Sequence, residues 1–195
     1  MTIDEFELTY KDTDLLKQFY NMLTTEFKDP NEIDTFENLV YRLENKTNPD
    51  ISVVKVYLNE NKEMLGGTIY DYYSDIKTMG CQFTVINPKY RDHGIGSMIH
   101  RRKYELYRYY IKFMFMKLDK NSIYKDYWYN LGFRNTNIIY IQPALSENKD
   151  PCDYFELWYK PFNGAVLNMK DIDNFIEHYN KYAIELPKKK ESIPE

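Results

Sequence analysis

Cysteine is almost missing from this chain: Cys81 and Cys152 are the only two among 195 residues. They lie far apart and form no metal-ligand spacing. That argues against a disulfide scaffold or a metal centre and for reduced thiols in an intracellular protein. Long apolar runs are missing too. No segment approaches the ~20 apolar residues a membrane helix requires, and no charged-then-apolar N-terminal stretch resembles a signal peptide. A soluble, cytoplasmic protein with no membrane partner is expected. Two phosphate-binding signatures are also absent. There is no GxxxxGK[ST] run and no three-glycine dinucleotide fingerprint, which disfavours nucleotide hydrolysis and hydride transfer. The length suits one domain, and at this size about 70% of the unfolded chain's surface is buried without help from disulfides or metal.

What is present is charge, unevenly spread under a net −4. Residues 1–50 hold twelve carboxylates against five basic side chains, and residues 89–134 hold eleven Lys and Arg against four acids. An acidic chain overall is a poor polyelectrolyte binder, so nucleic acid is not the expected partner. A basic half facing a small polyphosphate and an acidic half facing a cation fits better. Arg101, Arg102, Lys103 and Arg108 are expected to form an exposed stripe beside that polyphosphate.

The patterning gives an ordered set of elements. Residues 3–10 alternate as a half-buried strand does, and Asp12 or Thr13 can cap a helix carrying Leu15, Leu16, Phe19, Tyr20 and Leu23. A second helix over 34–44 ends at Asn48-Pro49-Asp50, because proline disfavours helix in the residue before it. Three strands at 52–58, 64–73 and 78–86 follow, joined by short polar turns suited to antiparallel hairpins. A glycine loop leads into a helix over 96–111. A strand at 113–118, a helix at 122–131, and strands at 134–142 and 154–159 come next. The expected fold class is α/β in the broad sense (α+β type): a mixed, mostly antiparallel central sheet with helices on both faces. Residues 1–162 form the domain. Residues 163–187 form a C-terminal helical extension that covers a sheet edge or makes a homodimer contact, and 188–195 a disordered tail.

The informative stretch is Val85-Ile86-Asn87-Pro88-Lys89-Tyr90-Arg91-Asp92-His93-Gly94-Ile95-Gly96-Ser97-Met98-Ile99. A strand runs into a loop with two glycines and a helix begins at once. Gly94 and Gly96 permit tight turning and close approach, and the first N–H groups of a helix form an anion site that a pyrophosphate satisfies. Arg91 adds charge and Ser97 a hydroxyl. A glycine pair before a helix is equally the mark of a plain strand-to-helix turn.

Val85–Ile99 nevertheless resembles motif A of the GNAT (Gcn5-related N-acetyltransferase) superfamily, with Arg91-Asp92-His93-Gly94-Ile95-Gly96 matching its Arg/Gln-x-x-Gly-x-Gly/Ala element. At the proper distance, Asn121…Tyr127-Trp128-Tyr129-Asn130-Leu131-Gly132-Phe133 resembles motif B. The resemblance implies acetyl-CoA as cosubstrate, no metal, and an amine acceptor. It implies that Val85 and Ile86 pair with the pantetheine arm. His93, Gly94, Ile95, Gly96 and Ser97 would hold the pyrophosphate with Arg91 nearby, and Asn121 would contact CoA.

The chemistry so implied is attack of a neutral amine on a thioester, which needs a proton acceptor for the amine and an acid for the leaving thiolate. In many relatives a motif B tyrosine, four residues before the motif's glycine, is the acid; here that position is Trp128, a poor acid. Tyr127 and Tyr124 are the candidate substitutes. Glu32, in the loop between the first two helices, is the candidate base, with Asp71 and Asp75 as further carboxylates of the acceptor side. Cys81 has no sequence-local His partner and reads as a small buried hydrophobe. A CoA-binding module without turnover is the competing reading.

Overall fold

The computed structural model describes residues 2–45, 50–145 and 149–181. The expected helix stop at Asn48-Pro49, the end of the extension at 182–187 and the tail at 188–195 lie outside the described residues.

The element order is β1 (Ile3–Leu8), α1 (Thr13–Glu26), α2 (Phe36–Glu44), β2 (Asp50–Asn59), β3 (Met64–Tyr73) and β4 (Thr78–Ile86). It continues with α3 (Ile95–Tyr107), β5 (Phe113–Asp119), α4 (Lys125–Asn130), β6 (Arg134–Gln142), β7 (Cys152–Pro161) and α5 (Met169–His178). The strands form one sheet in the order β1-β2-β3-β4-β5-β7-β6. Every pairing is antiparallel except β4 with β5, which the α3 crossover makes parallel. The last strand inserts between β5 and β6, leaving β6 at the edge.

Strands β2 and β7 extend about two residues beyond expectation and α2 starts two residues late, and three boundaries differ for a visible reason. Strand β1 stops at Leu8 because Thr9 donates from both its N–H and its hydroxyl to the Asp12 carboxylate, each at 2.7 Å, and the chain turns there. Helix α3 ends at Tyr107 and gives way to a turn closed by Tyr110 N–H on the Tyr107 carbonyl. The expected helix over 122–131 is reduced to the six residues of α4.

Each face of the sheet is covered because the helices present an apolar stripe at helical spacing. Leu16, Phe19 and Leu23 of α1 are fully buried against Val54, Val56, Ile69 and Val85, beside Leu39 and Leu43 of α2. Burying a phenylalanine such as Phe19 stabilises by about 2–3 kcal/mol relative to exposing it. Thr35 caps α2, its hydroxyl accepting from Asn38 N–H at 3.1 Å. Helix α3 lies on the opposite face, with Ile95 and Ile99 against Tyr57 and Leu65. Helix α5, started by a capping box between Asn168 and Asp171, joins the α1 and α2 face. Its Phe175 ring stacks on Phe115 at 4.5 Å, and Gly80 leaves room for that ring.

Candidate functional site

The parallel pair at the centre of the sheet is short. Residues 78–81 of β4 pair with 113–116 of β5, and there the ladder ends. Strand β5 continues through 117–119 against β7, while β4 continues to Ile86 against β3. The two strands therefore part, and the outer backbone edge of residues 82–86 has no strand partner among the described residues. A bulge at Gln82 marks the point of parting, since Tyr70 opposes Cys81 whereas Ile69 opposes Phe83. The extra residue re-phases the pleat, so that Cys81 faces α3 but Phe83 and Val85 face α1.

Beyond Ile86 the chain is fastened before it turns. Asn87 N–H donates to the Leu65 carbonyl at 2.9 Å and its side-chain amide to the Met64 carbonyl at 3.0 Å. Glu63, at the β2–β3 turn, accepts from Tyr90, Lys89 and Asn59, which pull its carboxyl down to about 2. The expected anion loop follows. Gly94 takes a left-handed conformation (φ 74°) at the N-cap of α3, and a Cβ there would meet nothing within 4 Å. The first helical bond runs from Met98 N–H to the Gly94 carbonyl, so the N–H groups of Ile95, Gly96 and Ser97 have no acceptor within the helix. His93 is exposed and its ring bonds to the Arg91 carbonyl, at 2.6 Å. Arg91 is paired with Glu26 of α1 and donates to the Ile86 carbonyl at 3.3 Å, so its guanidinium braces the loop from below.

Helix α4 closes over this loop. The Tyr127 phenol reaches the first turn of α3, is hydrogen-bonded to the Ser97 hydroxyl, and is pushed up from its usual value by burial. Tyr124 is half exposed at the N-terminus of α4. Trp128 turns the other way, edge-on to His100 at 4.6 Å and Phe133 at 5.6 Å. Asn121 lies in the exposed turn after β5, its N–H donating to Asp119 at 2.6 Å. Val85 is buried and Ile86 partly so, at the free edge of β4.

On the opposite face, at the same parting of β4 and β5, a second set of polar groups converges. Glu32 and Asp29 accept from the Tyr154 hydroxyl at 2.8 and 2.9 Å. Desolvation raises the Glu32 carboxyl, opposed by the Tyr154 bond, with nearby Lys117 also favouring its ionised form. Lys117 of β5 is partly buried, donates to the Gln142 amide oxygen, and stands 5.0, 5.1 and 5.9 Å from the ring centroids of Phe155, Tyr179 and Phe83. Gln142 in turn donates to the Asn31 carbonyl at 2.9 Å, tying β6 to the Glu32 loop. Asp71 is buried, not exposed, and accepts from Ser52 at 2.7 Å and from Gln82. Arg42 of α2 is buried between Asp34 and Asp71. Asp75 lies elsewhere, paired with His178 of α5 at 2.8 Å.

Sequence reading missed Lys117 and Arg42, and it misplaced Lys103. The expected exposed stripe fails at that residue: Lys103 is buried and donates to Thr68 at 3.0 Å, with the Cys81 thiol 3.7 Å away. Burial pushes that thiol up, so Cys81 is no ready nucleophile. Among the described residues no group of three or more His, Cys, Asp and Glu could hold a metal ion, and no helix is long and apolar enough to cross a membrane.

No family model and no curated protein matches the chain. Solved structures do. A GNAT-family acetyltransferase from Bacteroides thetaiotaomicron superposes with a TM-score of 0.72 at 16% identity, covering 93% of this chain and 99% of that one. GCN5 from Tetrahymena gives 0.60 at 14% identity over 84% and 98% of the two chains. A GNAT-family acetyltransferase from Staphylococcus aureus gives 0.59 at 16%, over 83% and 100%. At these identities the likeness is one of fold.

Proposed function

For a chain with the GNAT acyltransferase fold, we propose N-acetyl transfer from acetyl-CoA to a primary amine, by direct attack in a ternary complex. The acceptor is a small cationic amine, a protein lysine or an N-terminus. The observation that carries this reading is the parted β4–β5 pair, whose free β4 edge leads directly into a glycine loop and an open helix N-terminus. The free edge of Val85 and Ile86 suits an amide-bearing arm laid alongside it as a strand would lie. The N–H groups of Ile95, Gly96 and Ser97 suit a pyrophosphate, and the empty space at the missing Gly94 Cβ lets it approach.

The chain's own groups then divide the proton work. Glu32, raised by desolvation, is the base for the acceptor ammonium, since a carboxyl shifted toward neutrality takes protons more readily. Tyr127, kept protonated by burial, is the acid for the leaving sulfur, a role that Trp128 cannot fill from its place against His100 and Phe133. Positioning of the two reactants across the parted strands contributes the larger share of the acceleration.

One observation favours a second reading, a CoA-binding module without turnover: the Lys117 side chain occupies the acceptor face of the gap. Calorimetric titration with acetyl-CoA, on wild type and Gly94→Glu, tests both. Saturable binding lost in the variant, followed by acetylation of at least one amine in a panel of polyamines, amino acids and lysine peptides, supports transfer. Binding without any acetylated product supports the module. No binding by folded wild-type protein overturns the two readings together.

A further inference from the structure

Lys117 is an unusual residue to find in the centre of a sheet. It follows Phe113 and Phe115 on the same face of β5, where strand alternation calls for a third apolar side chain. Burying an ammonium is costly unless a carboxylate pairs with it, yet among the described residues Lys117 makes no salt bridge. Its hydrogen-bond acceptor is a neutral amide, Gln142, and the rings of Phe83, Phe155 and Tyr179 surround it. The Glu32 and Asp71 carboxylates favour its charge, and Arg42 opposes it, only from beyond salt-bridge distance.

Its placement is more telling than its burial. Lys117 is the first residue of β5 beyond the ladder with β4. Phe83 belongs to β4, on one side of the parting, and Phe155 to β7, on the other. The amine between those two rings therefore lies over the gap on the acceptor face. An incoming acceptor amine has to reach the thioester from this side if the acetyl-CoA arm lies along residues 82–86.

We propose that Lys117 is itself an acetyl acceptor, taking the acetyl group in cis from acetyl-CoA bound at the α3 loop. The inference rests on the acetyl-transfer reading above. The ε-ammonium first gives a proton to Glu32 or to solvent. The free amine then forms the new N–C bond at the thioester carbonyl carbon. The C–S bond breaks, and the sulfur leaves with the electron pair and is protonated. The sum is lysine ammonium and acetyl-CoA giving acetyl-lysine, CoA thiol and one proton.

Two features favour the product. Acetylation abolishes a desolvated charge that no salt bridge offsets among the described residues, and the remaining Nε–H still serves the Gln142 oxygen. The side chain is also ready to react, since burial lowers its amine from 10.5 to about 8, leaving a usable neutral fraction at neutral pH. Lys103 provides an internal contrast. It is more deeply buried and is also lowered by burial, but it lies on the α3 face against Thr68 and Cys81, where β4 and β5 are still paired.

The test is peptide mass mapping of the full chain after incubation with isotopically labelled acetyl-CoA. The expected result is label at Lys117 approaching one per chain, with a rate constant independent of protein concentration. Lys117 should label at least about tenfold faster than Lys103, as intramolecular delivery requires. Excess unlabelled CoA suppresses it in wild-type protein, and Gly94→Glu abolishes it, while exposed lysines label chemically in both proteins. Wild-type protein that binds acetyl-CoA by calorimetry yet leaves Lys117 unlabelled overturns this inference and leaves the acetyl-transfer reading standing. Label at Lys117 that persists under excess CoA overturns it equally. Failure to bind acetyl-CoA at all removes both.

Discussion

The phenol oxygen of Tyr127 stands 2.9 Å from the point where Gly96 would carry a Cβ. Helix α4 and the first turn of α3 thus meet through an absent methyl group. Gly96→Ala forces the Tyr127 hydroxyl to shift off the loop. The expected outcome is acetyl-CoA binding weakened by roughly tenfold, about 1.4 kcal/mol, with a melting temperature little changed. Adding Tyr127→Phe removes the obstructing oxygen and restores part of that affinity without restoring turnover. Calorimetry on the two single variants and the double variant closes the cycle. Additive losses would show that the two residues do not meet.

Glu32 sets the acid limb of the pH profile. Desolvation raises its carboxyl, so the base is lost as pH falls through that raised value. Glu32→Gln is expected to lower kcat by about 100-fold and to flatten the acid limb. The stability effect has the opposite sign. A carboxyl raised in the folded state stabilises most when protonated, so the wild type loses stability as pH rises through the shifted value and the variant does not.

Lys117→Met measures what the amine costs the fold. The Lys117 amine falls from 10.5 to about 8 on folding, a difference equivalent to about 3 kcal/mol. The folded state sheds the proton first, so wild-type stability rises between about pH 8 and 10.5. Methionine carries no charge to bury, and the variant should be more stable at pH 7, by about 1–3 kcal/mol, with no such rise. Denaturant unfolding at a series of pH values measures both. A variant less stable than wild type at pH 7 would show that the amine is a structural tie.

Gly67 faces the first helix across a distance that admits no side chain. A Cβ there would lie 2.6 Å from the Phe19 ring and 2.8 Å from the Lys55 carbonyl oxygen. Gly67→Ala is expected to destabilise by about 1–3 kcal/mol, read as a lower denaturation midpoint. Acetyl-CoA affinity in the folded fraction stays unchanged.

Legibility divides along the distance over which the chain must be read. The order of strands and helices follows from periodicity, and the Gly94–Gly96 loop from a local motif, since both are written within a few turns of the chain. The insertion of β7 between β5 and β6 depends on pairing of Leu157 with Lys117 and of Tyr159 with Arg134, which no local pattern encodes. Lys103 was misread because Arg101, Arg102 and Lys103 are consecutive, and successive helical residues point about 100° apart. Three in a row cannot share one exposed face. Lys117 did leave a signal: a lone lysine on the inward phase of Phe113 and Phe115. Its meaning needed the helices α1, α2 and α5, which close over it from distant parts of the chain.

The position of the last strand also sets a timetable. The ribosome releases β6 before β7 exists, and among the described residues β7 is the only strand β6 pairs with. Until Pro161 has emerged, the backbone of Arg134–Gln142 has no sheet to join, and its Ile139 and Ile141, still exposed in the finished fold, are exposed along with it. An unpaired apolar strand waiting on a nascent chain is a template for the wrong partner. Late synthesis, not the glycine loop completed long before it, is the step at which a growing copy of this protein is most open to aggregation.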